Sequence, residues 1–564
     1  MARTHVKLAT LTTAALSLVF VSAATATGAG GTPPKRSLHA PAPLVDAATS
    51  NPDALFDVIV VGHDGGSARA VDAVRNERAR GRGNGAGLKR GFVTVNAASA
   101  QLTGAEVLEL AAQDDVLAVV KDQKLRAAAS GGGGSNSNTT CDPSTCIFWQ
   151  GIAWPQLVGN APFIPSSTKK NSTPVPQAPA IAIVDSGVDP AQTFTGKRLV
   201  HQASFVTAGP NSSGDGYGHG TFVAGLAAGL MGGFAGASPT SNLVSLDVVD
   251  DNGSAVMSDV IAAADWIYQN KSAYGIRVAN FSLIGTEPSS FMFDPLDKAL
   301  ERLWFSGVVV VAAAGNYGTD AQPSGVPYSP GNDPFIITVG ATDMNKTVAG
   351  GDDFVAPWSA WGYTLDGFAK PDLSAPGRYM IGSVPLTAAM PIVRPDRVIA
   401  DTWMWMSGTS FAAPVVAGGA ADVLAVHPNW TPDQVKGALM LKATPLPGAD
   451  WRGGVGQVRI DAAASVTDPP NPNAALNQFV VPDPAGGPTP VFDSSTWTAT
   501  ASADPLWSAA AWTSAAWTTA AWTTAAWTTA AWTTAAWTTA AWTSAAWTTE
   551  AHSTAVDPTA VWVE

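Results

Sequence analysis

Residues 407–414 read Ser-Gly-Thr-Ser-Phe-Ala-Ala-Pro, and a run dominated by small and apolar residues extends from Phe411 to Ala425. This run predicts a buried helix with Ser410 at its amino end, where partial positive charge and N–H groups suit a developing oxyanion. Gly408 has no Cβ and lets a second backbone approach closely. A serine hydroxyl needs a neighbouring base to act as a nucleophile, and the alternative interpretation of Ser410 is a helix cap. The stretch alone favours neither interpretation.

Composition limits the classes of protein to which the chain can belong. With 564 residues, 46% of them hydrophobic and 13% charged, the chain is long enough for more than one domain and a large core. The net charge of −13 argues against a nucleic-acid partner. Two cysteines exclude a disulfide framework and a cysteine-based zinc cluster, and none of the seven histidines forms an H-E-x-x-H pair. We therefore expect no metal and no cofactor.

The amino end has the order of an export signal. Two basic residues, Arg3 and Lys7, precede an apolar run, and small residues follow it up to Ala26. The run is too short to span a membrane comfortably, so we expect residues 1–26 to be a cleaved signal peptide. The predicted product is secreted and extracellular, with association with the cell surface as the alternative.

Residues 27–128 predict a separate small α+β domain. A glycine-rich stretch at 130–135 follows and is typical of an exposed linker and a cleavage site. Beyond it, Cys141 and Cys146 are expected to pair outside the cell. The elements expected in the domain are strands at 56–61, 92–95 and 116–120 and helices at 67–80 and 104–112, the last opened by a capping box at Thr103.

An acid and a histidine occur in two further distinctive settings. The continuous apolar run 180–188 ends in Asp-Ser-Gly, which predicts a strand buried on both faces with Asp185 at its carboxyl end. Open α/β sheets place their sites there, although an Asp that caps a turn is the alternative. His219 stands between Gly218 and Gly220 before a helix of small residues. A histidine that accepts and returns a proton needs such access.

These segments together resemble a known family. Asp185-Ser186-Gly187, His219-Gly220-Thr221 and the 408–414 stretch resemble, in the same order, the three signature blocks of subtilisin-like serine proteases. The resemblance covers residues 145–466. It implies an α/β fold with a mostly parallel sheet flanked by helices, and a serine endopeptidase that hydrolyses peptide bonds through an acyl-enzyme. It assigns the catalytic triad to Asp185, His219 and Ser410.

The resemblance also extends to domain organisation. Residues 27–128 resemble the family's inhibitory propeptide, which implies a precursor that processes itself and is inhibited by its own propeptide. The catalytic domain is expected at 129–466, with protein or peptide substrates as its partners.

Two more segments resemble parts of the substrate site. Residues 278–285 resemble a strand that pairs with an extended substrate backbone. The carboxamide of Asn316 is by resemblance an oxyanion donor, and a turn residue before Tyr317-Gly318 is the alternative. The residues assigned to substrate binding are Ser282, Leu283, Gly285, Ala313 and Gly315. None of them is charged, and neither is Ala314, so we expect an apolar or neutral residue before the cleaved bond.

One segment departs from the family pattern. Relatives bind calcium in a longer loop at the position of 229–234, but this stretch has no side chain with an oxygen. Calcium needs several oxygen ligands, so we expect no such site here.

The carboxyl end is unusual in composition. Residues 467–494 are rich in Pro, Asn and Asp and predict a linker, so that a chain ending near 470 is expected to fold. Within the tail, 495–564, tryptophan recurs at every fifth position from Trp507 to Trp547. Neither a helix nor a strand collects that spacing on one face. We favour an extended or partly disordered repeat, with a repetitive fold or binding to a cell-surface polymer as alternatives.

Two rival classes fit the sequence less well. A lipase-type serine hydrolase places its acid and histidine after the serine, and the histidines after Ser410 are His427 and His552, in unremarkable settings. A non-catalytic binding protein on the same fold is expected to lose a member of the triad, and none is lost.

Overall fold

The computed structural model describes residues 39–63, 69–79, 87–127, 148–165, 175–190, 196–231, 234–400 and 402–503. Several sequence predictions lie outside these residues. They are the signal peptide 1–26, the glycine-rich stretch 130–135, the cysteines Cys141 and Cys146, and the tryptophan repeat 507–547.

The amino-terminal domain is built on a four-stranded antiparallel sheet with the strand order β2-β3-β1-β4. Its three helices pack against this sheet and enclose an apolar core. A fifth strand, β5, is not part of this sheet and pairs with β11 and β13 instead. The bounds are α1 Ala42–Ser50, β1 Leu55–Gly62, α2 Ala70–Ala79, β2 Gly87–Gly91, β3 Ala97–Thr103, α3 Gly104–Ala111, β4 Val116–Lys121 and β5 Lys124–Ala127.

The capping box is present, because Thr103 Oγ1 accepts from Glu106 N while the Glu106 carboxylate accepts from Thr103 N. The prediction of a strand at 92–95 is wrong. These residues form a bend between β2 and β3, and the N–H groups of Val93 and Thr94 donate to the carboxylate of Asp265 instead of to a strand.

The main body is organised around an eight-stranded sheet. Its order is β16-β15-β14-β12-β6-β10-β7, with β19 also pairing with β15. All of its pairs are parallel except β15 with the short edge strand β16. Strand β6 lies between β10 and β12, and every residue of it is buried. The expected α/β fold with a mostly parallel sheet flanked by helices is confirmed.

The elements of the main body up to β14 are α4 Phe148–Leu157, β6 Ala180–Asp185, β7 Leu199–Ser204, α5 His219–Ala228, β8 Leu230–Met231, β9 Phe234–Ala235, β10 Leu243–Asp247, β11 Ser254–Val256, α6 Met257–Tyr274, β12 Ile276–Phe281, β13 Leu283–Gly285, α7 Pro295–Phe305 and β14 Val309–Ala313. Those that follow are β15 Ile337–Asp343, β16 Phe354–Val355, β17 Gly362–Tyr363, β18 Ala369–Lys370, β19 Leu373–Pro376, β20 Met380–Ser383, α8 Ala389–Val393, β21 Val398–Ala400, β22 Trp403–Met406, α9 Thr409–Val426, α10 Pro432–Lys442, α11 Ile460–Ala464, α12 Ala474–Asn477, β23 Val480–Val481, β24 Val491–Phe492 and α13 Ser494–Ala503.

Helix α9 is the helix predicted after Ser410, and it crosses the core. It packs on α5 and on strands β12, β14 and β15. Small residues permit this contact, because a Cβ on Gly418 would lie 2.4 Å from the Cβ of Ala237. Among the described residues α9 is the one helix long and apolar enough to cross a membrane, and 89% of it is buried inside the protein. It is therefore a core helix.

The stretch predicted as a Pro-rich linker, 467–494, packs on the main body instead. Phe479 and Phe492 belong to the main apolar core, and so does Trp497 in the helix that follows. Asp483 adds an ion pair with Arg302 at 2.6 Å. The composition of the stretch does not indicate that it packs on the main body, because a few widely spaced apolar residues are enough to attach it. A chain ending near 470 would lack these contacts, and the expectation that it still folds stays a prediction.

We predict that Trp497→Ala destabilises the protein. The side chain is 3% exposed and its ring contacts those of Phe291, Phe368 and Phe492. Truncating a buried tryptophan costs about 3–5 kcal/mol. Thermal unfolding of a Ser410→Ala background, chosen to limit proteolysis, should show a lowered Tm. Ser495→Ala, in the same helix but exposed, is the matched control. An unchanged Tm in Trp497→Ala would mean that the segment is only loosely attached.

Candidate active site

The carboxyl end of the central strand meets the first turns of two helices. Asp185 is the last residue of β6, His219 the first of α5 and Ser410 the second of α9. All three are fully buried. The ring of Phe411, next to Ser410, lies 5.2 Å from the imidazole of His219, measured between centroids. The fold thus gathers the three residues singled out in the sequence.

The acid and the imidazole are hydrogen-bonded. Asp185 Oδ1 lies 2.7 Å from His219 Nδ1 and also accepts from Ser186 N at 2.8 Å. An ionised carboxylate can only accept, so the proton lies on Nδ1 and the lone pair of the neutral ring lies on Nε2. Nε2 is buried and has no hydrogen-bond partner. This tautomer is the one that a proton acceptor at Nε2 requires.

Two motif glycines make this pairing geometrically feasible. Gly187 has φ +90°, and a Cβ there would lie 2.0 Å from the carbonyl oxygen of Gly214. A Cβ on Gly220 would lie 2.1 Å from the carbonyl oxygen of Gly187. Since such distances are too short for any side chain, the Asp-Ser-Gly turn and the His-Gly-Thr helix start approach only with glycine at both positions.

The hydroxyl of Ser410 is held by a neighbouring backbone group. Ser410 Oγ donates to the carbonyl oxygen of Ser282 at 3.1 Å. Ser282 Oγ in turn donates to the carbonyl oxygen of Ser410 at 2.8 Å and accepts from Asn280 Nδ2 at 2.9 Å. These contacts tie the start of α9 to the segment between β12 and β13. Ser282, which the sequence analysis assigns to substrate binding, thus contacts Ser410 directly.

The carboxamide of Asn316 is oriented by Thr409. Asn316 Oδ1 accepts from Thr409 N at 2.8 Å and from Thr409 Oγ1 at 3.0 Å, and the same hydroxyl accepts from Gly315 N at 3.1 Å. A backbone N–H needs an acceptor, so the atom facing Thr409 is the amide oxygen and Nδ2 points the other way. Thr409 thus orients Asn316, the residue predicted to be the oxyanion donor. No pattern in the sequence predicts that Thr409 contacts Asn316.

A second buried carboxylate, absent from the sequence prediction, holds the acid and histidine segments together. Asp215 Oδ1 accepts from Gly218 N at 2.6 Å and from Ser186 Oγ at 2.8 Å, and Oδ2 accepts from Thr221 N at 2.7 Å. Ser186 Oγ also accepts from Gly220 N at 2.9 Å. Burial raises the pKa of Asp215 to about 7, against the lowering effect of these donors. Asp215 therefore bridges the turn after Asp185 and the start of the helix that begins with His219.

A strand of the amino-terminal domain lies in the groove beside Ser410. Strand β5 is the middle strand of an antiparallel sheet whose order is β11-β5-β13. Leu283 is paired with Ala127 and Gly285 with Leu125. Because β13 directly follows Ser282, β5 runs toward the hydroxyl of Ser410. The predicted substrate-binding residues Leu283 and Gly285 thus contact an extended chain in this structure.

Ala313 and Gly315 lie beside strand β13. Ala313 ends strand β14, and both residues are buried. A Cβ on Gly315 would lie 2.8 Å from Cδ1 of Ile284 in β13, which shows how closely the two segments approach.

Two other histidines are engaged elsewhere. His201 stacks on Trp266 with centroids 4.6 Å apart, and His427 stacks on Trp430 at 3.8 Å. His427 Nε2 also lies 2.8 Å from the carbonyl oxygen of Ala464. Their contacts are those of structural residues.

In the segment 229–234, where no calcium site is expected, strand β8 pairs antiparallel with β9. The ring of Phe234 in β9 stacks on Trp403, with centroids 4.3 Å apart. In the part of the chain that the structure describes, no group of three or more His, Cys, Asp or Glu side chains is arranged to hold a metal ion.

Comparison with known proteins identifies related sequences. The model of the Subtilase family matches residues 177–460. The chain is 35% identical to serine protease AprX of Bacillus subtilis (strain 168) over 268 residues, covering 46% of this chain and 60% of AprX. It is 34% identical to subtilisin DY of Bacillus licheniformis over 286 residues, covering 50% of this chain and 90% of that protein.

The fold is shared with a solved structure at lower identity. Fervidolysin from Fervidobacterium pennivorans, described as a keratinolytic enzyme related to subtilisin, superposes with a TM-score of 0.53 at 22% identity. The superposition covers 74% of this chain and 62% of fervidolysin. The family match spans half of the chain and includes both Asp185 and Ser410. This chain therefore belongs to the subtilase family of serine endopeptidases.

Proposed function

We propose that the chain is a secreted endopeptidase, made as a self-processed precursor, that hydrolyses peptide bonds through Asp185, His219 and Ser410. The observation that carries the proposal is the buried hydrogen bond of 2.7 Å between Asp185 and His219, beside a serine at the start of α9. The strand that lies in the adjacent groove supports a peptide as the ligand.

The proposed reaction follows from the arrangement of these side chains. Ser410 Oγ leaves the carbonyl oxygen of Ser282, donates its proton to His219 Nε2 and attacks the peptide carbonyl carbon. Asp185 keeps the Nδ1 proton in place and stabilises the imidazolium that forms. His219 then returns the proton to the leaving amine, and water releases the acyl group from Ser410 by the same steps.

The oxyanion of the tetrahedral intermediate needs donors that are already in place. Asn316 Nδ2 and the backbone N–H of Ser410 are the proposed donors. The two bonds from Thr409 to Asn316 Oδ1 hold the carboxamide without any rearrangement during the reaction. The amino end of α9 adds partial positive charge at the same place.

The domain at 27–128 is the proposed inhibitor of the catalytic domain at 129–466. Its strand β5 completes the sheet that a substrate would otherwise complete, so the two compete for the same groove. Its bend binds the main body where Val93 N, Thr94 N and Thr94 Oγ1 donate to Asp265. Asp122 adds bonds from Ser258 N and Oγ at the start of α6.

Two further proposals rest on sequence alone. Residues 1–26 are proposed to direct secretion, and the tryptophan repeat in 495–564 is proposed to bind a cell-surface polymer through its aromatic faces. Retention of the full-length protein on cell-wall material, compared with a chain ending at residue 503, tests the second proposal.

We predict that Ser410→Ala abolishes both peptide hydrolysis and maturation. The variant lacks the nucleophile, so the precursor expressed in a host without extracellular proteases should keep its amino-terminal domain. Mass and amino-terminal sequence of the secreted protein are the measurements. Ser465→Ala, at an exposed serine, is the control and should mature normally. Normal maturation of Ser410→Ala would remove the self-processing proposal, and residual hydrolysis would remove the nucleophile assignment.

We predict that Asp215→Asn lowers kcat by about 10²-fold with little change in KM, since small displacements of a catalytic group have effects of this size. An amide cannot accept from Gly218 N, Ser186 Oγ and Thr221 N at once, because one of its two polar atoms is a donor. His219 should then lose its position relative to Asp185.

The matched control is Asp366→Asn, another buried carboxylate that accepts from a serine hydroxyl and a backbone N–H, those of Ser290 and Phe291. Steady-state kinetics and Tm are measured for both variants. If Asp215→Asn lowers Tm but leaves kcat unchanged, Asp215 does not position the histidine.

A further inference from the structure

The register of β5 identifies where the residue before the cleaved bond would lie. Strand β5 is antiparallel to β13, so Leu125, Arg126 and Ala127 face Gly285, Ile284 and Leu283 in turn. The next residue of a peptide in this register comes level with Ser282, whose carbonyl oxygen accepts from Ser410 Oγ. If the proposed function holds, that residue precedes the bond attacked by Ser410.

Three segments meet beside this position, and we call the place where they meet the crevice. Strand β13 forms one wall and residues 313–315 form the other, with a Cβ on Gly315 only 2.8 Å from Cδ1 of Ile284. The third segment is joined to β13 by a hydrogen bond of 2.7 Å from Gly285 N to the carbonyl oxygen of Ser329.

Two tyrosine rings lie at this crevice. A Cβ on Gly315 would lie 2.3 Å from Cε1 of Tyr317, so the ring rests directly on the wall. Tyr317 Oη donates to the carbonyl oxygen of Ala314 at 3.4 Å, and its ring meets that of Tyr328 edge-on at 5.1 Å. Tyr328 directly precedes Ser329. Burial raises the pKa of both phenols, so both side chains are neutral at physiological pH.

We propose that Tyr317 and Tyr328 fill the specificity pocket of this protease and restrict the residue before the cleaved bond to small side chains, those of Ala, Gly or Ser. A larger side chain would need the volume that the Tyr317 ring occupies. Overfilling a packed site forces neighbouring groups to move and is therefore unfavourable. The sequence predicts an apolar or neutral residue before the cleaved bond, and the two tyrosines restrict that prediction to small residues.

The chain's own sequence supports the same preference independently. The residues that follow Arg126 at the end of β5 are Ala127, Ala128, Ala129 and Ser130. The proposed boundary between the domains at 27–128 and 129–466 follows Ala128, so a cut at that boundary has alanine before the cleaved bond. A protease that processes itself here must accept alanine at that position.

The test compares three fluorogenic peptides that differ only in the residue before the cleaved bond, with Ala, Phe or Arg there. For the mature wild-type enzyme, kcat/KM with Ala should exceed that with Phe by at least about ten-fold, the range expected for a mismatch in an apolar pocket. Tyr317→Ala should raise the Phe-to-Ala ratio by about ten-fold. Tyr317→Phe, which keeps the ring, should leave the ratio unchanged. A wild-type preference for Phe or Arg, or an unchanged ratio in a folded Tyr317→Ala variant, would overturn the proposal.

A second measurement does not depend on the stability of Tyr317→Ala. The precursor variant Ala128→Phe should mature at least about ten-fold more slowly than wild type or be cut at a different bond, whereas Ala128→Ser should mature as wild type does. If the Ala128→Phe precursor is cut directly after the substituted position at the wild-type rate, as read from the amino-terminal sequence, the inference is overturned while the proposed function stays intact. A wild-type protein with no Ser410-dependent cleavage of any peptide would overturn both.

Discussion

The buried hydrogen bond between Asp185 and His219 is the constraint on which the rest of the structure depends. It joins the end of the central strand to the first residue of a helix, so both elements must be fixed before the bond can form. The parallel sheet fixes the position of Asp185, because β6 is buried between two strands. The glycines of both motifs fix the position of His219, because their missing side chains allow the two backbones to touch. Asp215 then satisfies the N–H and hydroxyl groups that this close approach buries.

The same groove explains why the amino-terminal domain and the catalytic body belong together. Strands β11 and β13 each present an edge, and β5 pairs with both. Exposed strand edges are ready to pair with any extended chain, which is a hazard in most proteins and the means of recognition in a peptidase. In the proposed precursor, strand β5 would cover both edges until the amino-terminal domain is removed. Backbone pairing of this kind is indifferent to side chains, so selectivity must come from the walls of the adjacent crevice.

Sequence reasoning found the elements that local patterns encode. Ser410, His219 and Asp185 stand in short motifs whose glycines and small residues reflect contacts within the motif or with its partner. The central strand and helix α9 are evident from continuous runs of apolar and small residues. The capping box at Thr103 is likewise a local signal, and it is present in the structure.

What the sequence did not reveal depends on contacts between distant segments. Asp215 is one of 44 acidic residues, and what distinguishes it is that it accepts from Ser186, 29 residues earlier in the chain, as well as from the nearby N–H groups of Gly218 and Thr221. The stretch at 92–95 has the composition of a strand, but its N–H groups donate to Asp265. The proline-rich segment near 480 attaches through a few aromatic residues. The overall composition of the segment does not show them, because its many polar residues and prolines outnumber them.

The proposed mechanism requires Ser410 to be the nucleophile that the buried histidine activates. The most direct measurement is peptide mapping by mass spectrometry after the mature protein reacts with a fluorophosphonate, which labels activated serines covalently. We expect one adduct, on Ser410, and its loss when His219 is replaced by alanine. An adduct on another serine, or an undiminished adduct on Ser410 in His219→Ala, would contradict it.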